Sequence, residues 1–404
     1  MGGGETGGRR RVERRRTGVR NGIDVLLEQQ AASLKGRRVG LITNPTGTTR
    51  TLRSTVDALL EAGVQLRALF GPEHGVRGAL QDALPADDFV DERTGIRVYS
   101  LYGRTLRPQP EMLRDLEALV FDIQDVGVRF YTYAYTMAYS LQEAARHGLG
   151  FVVLDRPNPI TGVRVEGATL EPGFASFVGD YGLPFRHGLT MGELARYVDA
   201  TQGWGAALHV VPVEGWRRAM WFDEPGLPWV MPSPNMPTLE TATVYPGTVL
   251  FEGTNLSEGR GTCRPFEIIG APWLTSERLV RALYANLEAA GVEGVLVREL
   301  HFIPMFDKHA GQLCRGWQVH VVDRDAYEPV KAGIVLLKTV RDLHPEAFEW
   351  RRFGDGSYGI DRLAGTDALR KMVDRVAPLD EILDRMSQGT RAFAQARLPY
   401  LLYA

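Results

Sequence analysis

The sequence has very few cysteines and no long apolar run. Of its 404 residues only Cys263 and Cys314 are cysteines, so at most one disulfide can form and no metal-binding cysteine spacing exists. No apolar stretch reaches the ~20 residues that a membrane-spanning helix needs. We therefore expect no disulfide scaffold, no zinc module and no insertion into a membrane.

An excess of charge of one sign is also missing. The formal net charge is -2, whereas a protein that follows phosphate groups is normally basic, so we expect no nucleic-acid partner. The exception is the stretch of residues 1–20, which combines glycine with an arginine cluster and is predicted to be a disordered basic tail. No apolar region of a secretory signal follows these arginines, so we expect a cytoplasmic protein, or an extracytoplasmic one if the start is misassigned.

Several common catalytic motifs are absent as well. No GxGxxG or Walker A motif follows the first predicted strand, and the chain contains neither GxSxG nor HExxH. A nucleotide site, a serine hydrolase and a zinc protease therefore have little support. The polar residues that remain are carboxylates, arginines, amides and aromatics, a set that suits a sugar ligand.

What the chain does contain is a regular alternation of helices and strands. Hydrophobic residues make up 44% and charged residues 24%, which is typical of a folded protein. Strands are predicted at 38–43, 64–70, 96–101, 118–123, 151–154 and 208–213, and helical periodicity separates them. Strands that are apolar on both faces indicate a parallel sheet, so residues 21–245 are predicted to form a Rossmann-like, doubly wound domain.

The second half of the chain has a different pattern. A proline-rich segment at 229–246 links it to the first half. Helices are then predicted at 276–290, 330–343, 367–376 and 379–396, with strands at 292–300 and 317–322. Residues 246–404 are therefore predicted to form a smaller α+β domain.

Polar side chains follow most strands of the predicted parallel sheet. Because the carboxyl ends of parallel strands lie on one edge, these side chains are expected to converge. They are Asn44, Glu73, His74, Asp125, Arg129, Tyr131 and Asp155. One polar turn after a strand is ordinary, but several on the same edge favour a site.

Two glycine-rich segments carry charged residues, and each has two interpretations. Residues 69–78 hold Glu73 and His74 between glycines after a strand, as either a catalytic loop or a helix cap with a solvated charge. Residues 251–267 contain Glu258 and Arg260 between glycines. This segment is either a loop that wraps a ligand or a solvated loop with an incidental ion pair. The residues alone leave both questions open.

Many ordered motifs resemble one known family. The segments GPEHGVRG, VYSLYG, FDIQDVGVRFYTY, LDRPNPITG, HGLTMGELA, PSPNMPT and EGTNLSEGRGT look like those of the NamZ-type exo-β-N-acetylmuramidases, formerly a bacterial domain of unknown function. The resemblance extends from about Gly22 to the C-terminus. It implies a Rossmann-like domain and a smaller C-terminal domain with the site between them, and no metal or organic cofactor. The implied activity removes terminal N-acetylmuramic acid from the non-reducing end of peptidoglycan fragments, a small muropeptide or disaccharide, in cell-wall recycling.

The resemblance also implies roles for individual residues. Glu73 would be the principal catalytic carboxylate, with Asp125 and His74 beside it, and we expect Asp125 to stay ionised next to Arg129. We also hypothesise that at least one of Arg129 and Arg260 binds the lactyl carboxylate of muramic acid. The implied substrate-binding residues are Asn44, Arg129, Tyr131, Tyr133, Asp155, Asn235, Asn255, Glu258 and Arg260. The chain departs from the family pattern at Gly78–Ala83, where an Asp- and Gly-rich continuation is expected.

Other classes of function remain open at this point. A non-catalytic muropeptide-binding module would keep the arginines and tyrosines without needing a protonatable Glu73. A nucleotide-dependent enzyme on a Rossmann domain would need a phosphate site, which the sequence does not contain. Neither the oligomeric state nor the stereochemical outcome of hydrolysis follows from the sequence.

Overall fold

The computed structural model describes residues 18–77 and 88–404, without the side chains of residues 276 and 277. Most of the predicted tail, residues 1–17, and the atypical segment 78–83 lie outside the described residues. Residues 18–20 were also predicted to belong to the tail, but they are folded: Val19 is buried, and the Arg20 amide donates to the Glu214 carbonyl at 2.9 Å. Across the described ranges, no helix combines the length and apolar character needed to cross a membrane.

The first domain is built on a seven-stranded sheet with the strand order β3-β4-β2-β1-β5-β6-β7. Its strands are β1 (Arg38–Thr43), β2 (Gln65–Gly71), β3 (Phe89–Val90), β4 (Arg97–Ser100), β5 (Ala118–Asp122), β6 (Gly150–Leu154) and β7 (Ala207–Val211). All neighbouring strands are parallel except β3 and β4. The predicted Rossmann-like sheet is confirmed, and its order reverses around β1, where α/β sheets bind ligands.

Helices cover both faces of this sheet. They are α1 (Gly22–Glu28), α2 (Thr55–Glu61), α3 (Pro110–Leu113), α4 (Tyr133–Arg146) and α5 (Met191–Gln202). On one face Ile23 and Leu59, from α1 and α2, join a core with alternate strand residues, and on the other Leu141 and Leu194, from α4 and α5, do the same. The strands are apolar on both sides because both sides are covered.

The second domain contains a three-stranded antiparallel sheet, order β8-β10-β9, and the remaining helices. The strands are β8 (Ile268–Ala271), β9 (Val295–Phe302) and β10 (Cys314–Val321). The helices are α6 (Leu239–Thr248), α7 (Ser276–Ala289), α8 (Pro329–Leu343), α9 (Gly359–Ala364), α10 (Ala368–Asp374), α11 (Leu379–Met386) and α12 (Thr390–Ala396). The predicted α+β character is confirmed, although β8 and α9 were not predicted.

Several boundaries differ from the sequence predictions for local reasons. The first helix was predicted to reach Leu34 but ends at Glu28, because Gln30 and Ala31 have positive φ angles of 55° and 51°. The proline-rich segment 229–246 was predicted to link the two halves, and its last part is the beginning of α6, which Thr238 caps by accepting from the Thr241 amide. The domain boundary predicted after residue 245 therefore falls inside this helix.

The C-terminal segment returns from the second domain to the first. Arg397 donates to the carbonyls of Gly162, Val163, His187 and Gly188. Further along, the Tyr403 hydroxyl accepts from the Val213 amide at 3.0 Å, just after β7. The two domains are thus joined by α6 and by the end of the chain.

Candidate active site

A cleft of about 290 Å³ lies at the carboxyl edge of the large sheet and is lined by both domains. Glu73 enters it from the turn after β2, as the strand pattern predicted. In this turn the Gly75 amide donates to the Pro72 carbonyl at 2.9 Å, and His74 and Gly75 have positive φ angles of 70° and 76°. The left-handed backbone at a non-glycine residue costs about 1–3 kcal/mol, which the surrounding packing must offset. The turn directs both Glu73 and His74 to the cleft.

The Glu73 carboxylate is held by the residue that precedes α4. Thr132 Oγ1 donates to Glu73 Oε2 at 2.8 Å, and both residues are buried. Burial, together with the negative charge of Glu73, raises the pKa of Tyr133 well above its usual range. Tyr133 therefore keeps its proton, which it donates to the Pro232 carbonyl.

Aromatic side chains form most of the cleft wall. Tyr131 packs edge-to-face on Tyr133 with ring centroids 5.0 Å apart, and Tyr245 packs in the same way on Phe266 at 4.6 Å. The remaining aromatic lining residues are Tyr102, Phe130, Phe177 and Phe353. Such rings cover the apolar faces of a sugar and exclude water from its charged partners.

The proline-rich segment and the second domain supply the polar side of the cleft. The proline-rich segment contributes Ser233 and Asn235 to the lining. The second domain contributes Glu252, Arg260 and Arg351. The structure thus brings together Glu73, His74, Tyr131, Tyr133, Asn235 and Arg260 of the predicted site residues.

Asp125 lies behind this lining, with 5% of its surface exposed. Its Oδ1 accepts from the Gly127 amide at 2.7 Å, and within the described chain its buried Oδ2 has no hydrogen-bond partner. Burial raises the pKa of Asp125 to about 7, against the lowering effect of the backbone donors Gly127 and Val126. The expected arginine does not contribute to this pKa, because the Arg129 guanidinium donates to backbone carbonyls instead.

Arg129 does not reach the cleft lining either. Its guanidinium donates to the carbonyls of Ala168, Leu183 and Leu363 at 2.6–2.9 Å, and the side chain is fully buried. These acceptors belong to both domains, so Arg129 joins segments that are distant in sequence. We therefore correct the prediction that Arg129 binds substrate.

Asn44 and Asp155 end their strands as predicted, but neither side chain is among the cleft-lining residues. Asn44 Oδ1 accepts from the amide and hydroxyl of Thr46, which makes a local turn. Asp155 is fully buried and accepts from Thr190 Oγ1 at 2.7 Å and from the Gly192 amide at 2.8 Å, at the start of α5. Their hydrogen bonds stabilise turns, and contact of either residue with substrate stays a prediction.

Asn255 and Glu258 also serve the structure of the second domain. The Asn255 side chain bonds the backbone at Ala347 and Glu349. Glu258 is buried between Arg260, at 3.1 Å, and Lys308, at 2.6 Å. Burial alone would raise the pKa of Glu258, but these two cations outweigh it and lower that pKa. Of the predicted residues in the glycine-rich segment, only Arg260 lines the cleft.

Sequence reasoning missed several lining residues. Thr132 stands inside a quoted motif, and its place directly before a helix is a signal that was available. Glu252 lies near the start of the glycine-rich segment, where the sequence prediction named Glu258 instead. Glu252 lines the cleft and pairs with Arg260 at 2.5 Å. Arg351 belongs to no motif, and only the fold brings it here. Within the described chain, no cluster of three or more His, Cys, Asp or Glu side chains is arranged to hold a metal ion.

Family models of known proteins match the two halves of the chain in turn. The model for the N-terminal part of the exo-beta-N-acetylmuramidase NamZ matches residues 39–240. The model for the C-terminal part matches residues 243–403. The two matches together include every described residue that lines the cleft.

Individual relatives are similar over nearly the same length. The peptidoglycan beta-N-acetylmuramidase NamZ of Bacillus subtilis (strain 168) is 48% identical over 386 residues, which is 95% of this chain and 91% of the relative. A crystal structure of a DUF1343 family protein from Bacteroides fragilis NCTC 9343 is 36% identical with a TM-score of 0.87, over 96% of this chain and 100% of that one. A second such protein from the same organism is 28% identical with a TM-score of 0.72, over 95% and 99%.

Proposed function

Since the chain belongs to the NamZ exo-β-N-acetylmuramidase family, we propose that it hydrolyses the bond that joins a terminal β-linked N-acetylmuramic acid to a peptidoglycan fragment. The protein is a glycosidase of peptidoglycan turnover. One observation carries the assignment to this cleft: a buried carboxylate, Glu73, is held by Thr132 in a small aromatic-walled cavity at the carboxyl edge of the sheet.

The size of the cleft supports action at a chain end. Its volume of about 290 Å³ lies at the lower limit of small-molecule sites, which run from about 300 to 1,000 Å³. A single sugar unit suits that volume better than a continuous glycan strand. The aromatic walls supply its apolar contacts, and Asn235 and Ser233 supply polar ones.

Glycoside hydrolysis needs a group that protonates the leaving oxygen and a charge that supports the sugar as it becomes cationic. Glu73 is our candidate for the first role because it lines the cleft and its orientation is held by Thr132. For the second role Glu252 replaces Asp125, because it is the other carboxylate among the described lining residues and its ion pair with Arg260 favours the ionised form.

The substitution Glu73→Gln tests the first role. It keeps the shape and the bond from Thr132 but removes the titratable proton. We expect a melting temperature close to that of the wild type, retained binding of muramic acid, and turnover of the natural disaccharide reduced by roughly a hundredfold or more. A muramide with an activated leaving group needs less protonation, so its turnover should fall less.

The matched control is Glu61→Gln, on the exposed end of α2, which should leave both turnover values unchanged. If Glu73→Gln stayed within a few-fold of wild type on both substrates, the catalytic role would belong elsewhere in the cleft. If the wild type bound muramic acid but released none from either substrate, the protein would be a muropeptide-binding module instead.

A further inference from the structure

Among the described residues, two arginines line the cleft, Arg260 and Arg351, and their surroundings differ. Arg260 is already committed to acidic partners, with Nη2 2.5 Å from Glu252 and Nε 3.1 Å from Glu258. Its ring contact with Phe266, at 5.1 Å, fixes it further. Binding a substrate carboxylate would require Arg260 to share its charge with these glutamates.

Arg351 forms no such ion pair with the described residues. Its backbone is fixed, because its amide donates to the Gly253 carbonyl at 2.8 Å and its carbonyl accepts from the Gly359 amide at 3.0 Å. Its guanidinium lies 5.8 Å from the Phe353 ring. Over residues 18–77 and 88–404, no carboxylate lies within 4.0 Å of that guanidinium. The side chain is exposed, so it is a cation on a rigid backbone facing the cleft.

Arg351 also stands at the junction of two cavities. Besides the cleft, it lines a cavity of about 710 Å³ in the second domain, whose other charged lining residues are Asp307, Lys308, Glu349 and Arg352. Arg351 therefore faces open space on the side of the second domain as well as in the cleft.

We propose that Arg351 is the specificity residue that binds the lactyl carboxylate of the terminal N-acetylmuramic acid. This inference rests on the proposed function, because it presumes a muramic acid bound in the cleft. The lactyl ether is the group that distinguishes this sugar from N-acetylglucosamine, and a guanidinium matches a carboxylate through paired hydrogen bonds. The proposal replaces the sequence-based assignment of this role to Arg129 or Arg260.

The test compares two aryl muramides that differ only in charge, one with the free lactyl carboxylate and one with its primary amide. For the wild type we expect kcat/KM to be roughly 10- to 100-fold higher for the acid, in the range that a hydrogen bond to a charged group provides. In Arg351→Gln this ratio should fall to within about threefold of unity, with the loss confined to the acid. Arg351→Lys should keep part of the acid-to-amide ratio, because lysine retains the positive charge but lacks the planar guanidinium that donates paired hydrogen bonds.

The matched control is Arg352→Gln, which removes the neighbouring arginine of the second cavity and should keep the wild-type ratio. Arg260→Gln should lower kcat/KM for both substrates alike. The inference is overturned if the wild type does not distinguish acid from amide, or if Arg351→Gln keeps the ratio while its melting temperature is unchanged. Failure of the wild type to hydrolyse either muramide would instead overturn the proposed function, and calorimetric binding of muramic acid and its amide would then test Arg351 separately.

Discussion

Buried carboxylates near the cleft differ in what balances their charge. Glu258 is paired with Arg260 and Lys308, which lower its pKa despite burial. Asp125 has only backbone donors, and burial raises its pKa to about 7. The neighbouring cations therefore favour the charged form of Glu258, whereas burial favours the protonated form of Asp125.

The substitution Asp125→Asn should reveal this difference through the pH dependence of stability. The pKa of Asp125 rises from an ordinary 3.8 to about 7 on folding, so the folded state binds the proton more tightly. The wild type therefore loses stability as pH rises from about 4 to about 7, by at most ~1.4 kcal/mol per pH unit. Asparagine keeps the acceptor for the Gly127 amide and does not titrate. We expect Asp125→Asn to gain stability relative to the wild type, on the order of 1–3 kcal/mol between pH 5 and pH 8.

Urea denaturation at several pH values measures this relative stability. The exposed Asp115→Asn is the control, and its stability relative to the wild type should vary little with pH. A flat difference for Asp125→Asn would mean that Asp125 is ionised in the folded protein throughout this range.

The position of a site residue could be predicted from the sequence where the residue lies in the turn that follows a strand. Glu73 follows β2 directly, and the turn carries it to the edge of the sheet. Arg129 also follows a strand, but its direction depends on carbonyls at Ala168, Leu183 and Leu363, which no local pattern reveals. Arg351 lies in a hairpin of the other domain, so its place in the cleft follows from tertiary packing alone.

At the level of elements, the helix that joins the domains is held by a close glycine contact. A Cβ atom on Gly247 of α6 would lie 1.9 Å from the Pro329 carbonyl oxygen of α8, and one on Gly333 would lie 2.4 Å from the Gly247 carbonyl oxygen. The two backbones therefore touch. This contact positions Tyr245, which α6 carries into the cleft.

The substitution Gly333→Ala should therefore affect both stability and substrate binding. Separating α6 from α8 is an overpacking change that costs about 1–3 kcal/mol, and it shifts Tyr245 relative to Phe266. We expect a lower melting temperature and a raised KM for the disaccharide. Gly354→Ala is the matched control, since a Cβ atom there meets nothing within 4 Å. A melting temperature equal to that of the control would show that the helices have room to separate.

The elements themselves were largely predictable, because the strands and long helices have clear apolar periodicity. The exceptions have local causes. The helix predicted at 379–396 is divided into α11 and α12 at Gly389, whose φ of 82° is left-handed. A Cβ atom at Gly389 would lie 2.1 Å from Thr169 Oγ1, so the break follows from contact with the first domain, which helical periodicity does not record.

For the whole molecule, the end of the chain completes the core of the first domain. Arg397 satisfies carbonyls between Gly162 and Gly188, and the Trp216 ring packs edge-to-face on Tyr403 at 5.1 Å. The Tyr403 hydroxyl also donates to the buried Asp155. The first domain therefore depends on residues that are last in the sequence, and its folding requires contacts across almost the full length of the chain.

The substitution Tyr403→Phe tests this dependence, because it removes one hydroxyl and keeps the ring. Burial raises the pKa of Asp155 to about 6, and the Tyr403 hydroxyl opposes that rise. Without the hydroxyl the pKa should rise further, so ionised Asp155 becomes more costly to bury while the protonated form is little affected. We expect a loss of about 1–3 kcal/mol at pH 8 and a smaller loss at pH 5, measured by urea denaturation.

Tyr400→Phe, in the same segment, should show no such pH dependence. An equal loss at both pH values would indicate that the Tyr403 hydroxyl contributes through the bond it accepts from the Val213 amide and not through the charge of Asp155.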